Sequence, residues 1–205
     1  MDSHALLDWA PLTISIVALL VSFGAAALPF WRRPSLSLSN DRERTHSRVE
    51  GDEIPYLRLL VHNAKRKRSA MHARVVLDGY RHTDSDATLT RVGSPFLSWP
   101  STFGQDSDSY VSVIFSDASR PVGLGRFVQI GTTWHFFLEL AGNLELTDNR
   151  DWLPPGAWTV RLIVGADDGD AHAYEVDLAW AGNERDPRAV LNAALDSLQV
   201  RPAGR

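Results

Sequence analysis

The chain has 205 residues, a formal net charge of −4 at neutral pH and no cysteine. Without cysteine there are no disulfides, no thiolate zinc sites and no thiol catalysis. A mildly acidic balance is a poor match for a nucleic-acid binder.

The N-terminal tail, residues 1–9, leads into an uncharged apolar run from Ala10 to Phe30. Trp9 stands in front of it and Trp31, Arg32 and Arg33 stand behind it. About twenty residues at ~1.5 Å rise match the ~30 Å hydrocarbon core of a bilayer, so the pattern predicts a transmembrane helix over residues 10–31. Asp8 is placed to cap it, Pro11 falls in its first turn and Pro29 near its end. Trp9 and Trp31 occupy positions typical of interfacial aromatics. Two other readings exist. Ala25-Ala26-Ala27 would suit signal cleavage, although a signal peptide wants a basic leading segment and this one carries Asp2 and Asp8. A buried core helix is the other. Arg32 and Arg33, with Arg42 and Arg44 beyond them, predict that the N-terminus lies outside and residues 34–205 in the cytoplasm. Ala18, Ser22 and Ala26, with Ser15 a heptad before Ser22, form a small-residue face suited to helix self-association and a homo-oligomer. The same residues are also ordinary in a lone span.

Residues 32–205 have the size of one domain. Ser35 to Ser39 alternates with period two, as a half-buried strand does. Residues 40–54 read as a polar loop. Leu57, Leu59 and Val61 then share one face, and after a short link Met71, Ala73, Val75 and Leu77 share another, which predicts a hairpin. Residues 81–109 read as a long Ser/Thr/Asp-rich loop. Val111, Val113 and Phe115 form the next strand face, and Phe127 to Ile130 a short strand. Trp134, Phe136, Leu138 and Leu140 follow, then the turn Leu153-Pro154-Pro155-Gly156, then Trp158, Val160, Leu162 and Val164. After the turn at 166–170 come Tyr174, Val176, Leu178 and Trp180. Asp186-Pro187 reads as a cap and first-turn proline, and Val190, Leu191, Ala194, Leu195 and Leu198 have helical spacing, which predicts a helix over about residues 187–198. The pattern is mainly β, a two-sheet antiparallel sandwich with a short C-terminal helix.

Two segments carry a family resemblance. LLVHNAKRKRSAMHARVVLDG (residues 59–79) resembles the strand–Asn–turn–Ala–strand unit of bacterial immunoglobulin-like domains. LPPGAWTVRLIV (residues 153–164) resembles their Pro-Gly-aromatic turn into a late strand. The overall plan resembles bacterial single-pass membrane proteins with such a sandwich after the helix. The resemblance implies an immunoglobulin-like fold and no activity.

No catalytic constellation or metal site is legible. His4, His46, His62, His72, His82, His135 and His172 form no H-E-x-x-H pair, and His72 and His135 fall on outward strand faces. Gly123-Leu124-Gly125 lacks the third glycine of a nucleotide loop. Gly93-Ser94-Pro95 lacks the glycines of a nucleophile elbow. Asp167, Asp168 and Asp170 around Gly169 offer oxygen ligands for Ca²⁺, yet read more simply as a hairpin turn. No cofactor is implied.

Two surface clusters remain. Lys65-Arg66-Lys67-Arg68 lies in the link after the second strand. If that strand runs antiparallel to the first, the link returns towards the membrane, where four cations meet anionic lipids; a solvated turn is the plainer reading. Phe96, Trp99 and Phe103 lie in the long loop, either for a protein partner or folded back onto the core. The expected function is a membrane-tethered, non-catalytic interaction or sensor domain binding a protein on the cytoplasmic face. Its rivals are an extracytoplasmic module for a carbohydrate or cell-envelope ligand, and a hydrolase on a sandwich scaffold.

Overall fold

The computed structural model describes residues 3–40, 48–50, 54–83, 89–90, 95–99, 111–141 and 152–204, with backbone alone for residues 3–11, 29–30, 48–50 and 112. Two compact units result, Met1–Arg33 and Pro34–Arg205.

The first unit is a helix, α1 (Ser3–Trp31). It starts earlier than predicted. Nothing between Ser3 and Asp8 breaks a helix, so Asp8 lies inside α1 instead of capping it, and Pro11 lies beyond the first turn. Leu12, Ile14, Leu19, Leu20 and Phe23 are all exposed. Among the described residues no helix is long and apolar enough to cross a membrane; those of α1 with described side chains run from Leu12 to Leu28, plus Trp31.

The second unit comprises β1 (Leu36–Ser39), β2 (Arg48–Glu50), β3 (Ile54–Asn63), β4 (Ala70–His82), β5 (Val111–Ile114), β6 (Ser119–Ile130), β7 (Thr133–Leu138), β8 (Trp152–Leu153), β9 (Gly156–Gly165), β10 (His172–Trp180), α2 (Pro187–Ser197) and β11 (Gln199–Pro202). One sheet has the order β1-β3-β6-β7-β8, with β2 also on β3; the other has the order β11-β10-β9-β4-β5. All the strand pairs are antiparallel. Leu57, Leu59, Val61, Phe127 and Phe136 from the first sheet meet Val75, Leu77, Leu162 and Val176 from the second in one buried core.

The predicted hairpin between the second and third sequence strands does not form. β3 pairs with β1, β2 and β6, whereas β4 pairs with β5 and β9. Residues 64–69 therefore carry the chain from one sheet to the other. Two alternating strands can bury their apolar faces side by side or face to face, and here they face each other.

The β4 and β5 faces also differ from expectation. His72 has a left-handed φ of 48°. The strand shifts phase there, so Ala70 and Ala73 are buried and Met71 is exposed. Across from Ala70, Ile114 is the inward residue of β5, which leaves Phe115 outside. β6 is much longer than predicted, because Gly123 and Gly125 belong to it. A side chain at Gly125 would collide with the ring of Phe136, so the glycine permits this close approach.

α2 packs on β10 and β3 and buries Val190, Leu191 and Ala194. Asp186 caps it by accepting from the Arg188 amide at 2.9 Å, with Pro187 in the first turn. The predicted cap and helix thus form as read. The short edge strand β11 was not anticipated.

Candidate functional site

The register of β1 against β3 sets one end of the sandwich. Leu36 lies opposite Asn63, so the chain enters the domain beside the end of β3. Asn63 is fully buried. Its Nδ2 donates to the carbonyls of Arg68 at 2.7 Å and Ile114 at 3.1 Å. Its Oδ1 accepts from the Ser35 amide at 3.3 Å. Its backbone N–H donates to Ala118 O at 2.9 Å, and its carbonyl accepts from Asp117 N–H at 3.0 Å. Ala64 N–H donates to Ser35 O at 3.0 Å. One amide side chain therefore joins the start of β1, the 64–69 link and the end of β5. A buried amide with its donors and acceptor used is stable where a half-used one is costly.

The basic residues project from this clamp. A turn closes through Lys67 N–H to Ala64 O at 3.4 Å, with Arg66 left-handed at φ 64°. Lys65, Arg66 and Arg68 are exposed. Two large apolar side chains stand at the same end, Phe115 at 61% exposure and Met71 at 42%.

The 166–170 turn also reaches this end, where a side chain at Gly169 would touch the Pro34 carbonyl. Its acids hold protein partners. Asp167 meets His72 Nδ1 at 2.8 Å and Arg74 at 3.3 Å. Asp168 accepts from the Met71 amide at 3.1 Å, and Asp167 N–H donates to Met71 O at 3.1 Å. The turn is latched to β4, as a structural turn is. Among the described residues no group of three or more His, Asp or Glu is placed to hold a metal. A shallow depression of about 210 Å³ beside this latch is lined by His72, Arg74, Phe96 and Asp167.

The predicted aromatic loop is divided. Leu97 N–H donates to Val75 O, and Ser98 N–H to Glu139 O, so residues 95–99 bond to both sheets. Trp99 is consequently 2% exposed and part of the core, not a residue a partner can reach. Phe96 is half-buried, with the Arg74 guanidinium 5.8 Å from its ring centre. Phe103 lies outside the described residues, as do the side chain of Trp9 and the flanking Arg42 and Arg44. Trp31, Arg32, Arg33, Ser15, Ala18, Ser22 and Ala26 are all exposed.

The outer face of the second sheet carries a charge ladder. Arg161 pairs with Asp78 at 3.2 Å, and Arg201 with Asp177 at 2.6 Å and Glu175 at 3.1 Å. On the inner side, burial raises the pKa of the Tyr174 phenol, whose hydroxyl donates to Leu36 O at 3.4 Å.

The cations are legible in the sequence as a charge run, whereas the roles of Asn63, Met71 and Phe115 at this end are not. Asn63 was visible only as one letter of a strand–Asn–turn motif, and Phe115 was assigned to the core by its spacing. Compared with known proteins, the chain matches no family model, no curated protein and no solved structure, so its functional reading rests on these residues alone.

Proposed function

We propose that this protein is a membrane-tethered, non-catalytic interaction or sensor domain, anchored by α1, with the sandwich at the cytoplasmic face and a protein as its partner. The observation that carries the reading is α1 itself. Its sequence is uncharged from Trp9 to Trp31, and the large apolar side chains described along it are exposed. An exposed apolar helix in water is unfavourable at about 25 cal/mol per Å², whereas lipid accommodates it.

The orientation has two supports. Arg32 and Arg33 follow the apolar run, and the link bearing Lys65 to Arg68 stands at the end of the sandwich where Pro34 begins the domain. The sheet order β5-β4-β9-β10 matches the C′-C-F-G order of an immunoglobulin-like sandwich. The first sheet departs from that plan, because β6, beside β3, precedes its neighbour β7 in the chain. The non-catalytic reading is supported by Asp78, Asp167, Glu175 and Asp177, which are committed to ion pairs. Ser15, Ala18, Ser22 and Ala26 supply a face for pairing of two anchors.

Alkaline carbonate extraction of membranes from cells making the full chain tests the anchor. The protein is expected to stay with the membrane pellet and to be released only by detergent. Release into the carbonate supernatant overturns the reading.

A further inference from the structure

We infer that the clamped end of the sandwich is a lipid-contact surface, in which Phe115 and Met71 enter the interfacial layer of an anionic leaflet while Lys65, Arg66 and Arg68 meet its headgroups. The inference rests on the anchor reading and adds to it a specific docked face.

Four observations converge. Phe115 and Met71 are exposed, although Ile114 and Ala70 beside them are buried. Met71 lies opposite Val113 in the β4–β5 ladder, and Phe115 follows directly on the last residue of β5, so the two stand at the same end of that pair. The Asn63 amide holds the carbonyls of Arg68 and Ile114 together, which makes the cations neighbours of Phe115. The same amide group accepts from Ser35, where the chain arrives from α1.

Backbone strain adds a fifth point. Arg66 occupies a left-handed turn position that glycine would fill without strain. Strain kept at an exposed cation points to a use for its charge. Two acids of this end are already engaged, Asp167 by His72 and Arg74 and Asp168 by the Met71 amide. Asp117 and Asp170, with Arg120 and His172 beside the same two turns, are further titratable groups described there. Two apolar side chains at an end that also carries three exposed cations are far too little for a stable protein interface, which needs about 800 Å² per partner. They suit a headgroup layer, where an aromatic and several cations act together.

The absence of native cysteine makes the test direct. Full-length protein carrying F115C labelled with pyrene is reconstituted into vesicles containing spin-labelled lipid. In vesicles with about a third anionic lipid, quenching of the pyrene is expected. It is expected to fall in neutral vesicles and in the variant K65Q/R66G/R68Q. Each cation is worth about fivefold in docking (~1 kcal/mol), so the three together give on the order of a hundredfold. R66G alone is expected to keep or raise the melting temperature while weakening quenching, which separates docking from folding. Protein that floats with anionic vesicles yet leaves the pyrene unquenched overturns the inference and spares the anchor. Equal quenching in neutral and anionic vesicles overturns it too, as does excimer emission showing a second copy over Phe115. Protein that does not float with vesicles at all removes the anchor reading and this inference with it.

Discussion

Asn63 holds three chain segments with one side chain, and its replacement tests how much the clamp matters. N63A leaves the Ile114 carbonyl and its neighbours short of partners in a buried place. The expected loss is about 3 kcal/mol in urea unfolding; a loss under about 1 kcal/mol would contradict the clamp. Arg66 makes the opposite prediction. Relief of its left-handed φ in R66G is expected to stabilise the domain by about 0.5–1 kcal/mol in the same assay. Tyr174 supplies a pH dependence. Burial favours its neutral phenol in the folded state, so its pKa there lies above the unfolded value of about 10. Below that value both states hold the proton and stability is unaffected. As pH rises through it, the unfolded state alone ionises and stability falls. Y174F is expected to flatten the decline in melting temperature above about pH 10 relative to the parent chain.

Elements whose residues alternate between core and solvent were legible. Trp134, Phe136 and Leu138 of β7 are buried as read, and so are Val176, Leu178 and Trp180 of β10. Alternation says which side of a strand is apolar and nothing about which strand lies beside it, so the hairpin between β3 and β4 was misassigned. The β5 face failed for a different reason. Val111 packs against the core as its spacing suggests, but at the other end of β5 Ile114, opposite Ala70, faces inward and Phe115 is exposed, which local spacing does not reveal. Trp99 was legible as a large aromatic but its destination was set by backbone bonds to both sheets, which no local pattern encodes. β6 was hidden by its glycines, Gly125 where a side chain would meet the Phe136 ring and Gly123 where one would meet the Glu139 carboxylate. The helix α2 was legible because its cap, proline and apolar spacing are all local. Its contribution is testable: L191A removes a buried side chain between β3 and β10 and is expected to cost about 3 kcal/mol by urea unfolding. A cost under about 1 kcal/mol would mean that α2 is peripheral to the core.

At the largest scale, an apolar helix is followed within a few residues of sequence by a sandwich that carries the chain's only lysines at the end where Pro34 lies. Charge flanking the apolar run and charge on the folded domain come from separate stretches of sequence, and the proposed orientation gives both to the same leaflet. The cations of the 64–69 link could have stood at either end of the sandwich. The β1–β3 register and the Asn63 clamp put them where the domain begins. In the arrangement proposed above, α1 tethers the sandwich to the cytoplasmic face. The most direct measurement fuses two reporters, in separate strains, after Arg205: green fluorescent protein, which matures when kept in the cytoplasm, and alkaline phosphatase, which is active only outside it. Membrane-bound fluorescence and an inactive phosphatase are expected. An active phosphatase with a dark fluorescent fusion would contradict this arrangement.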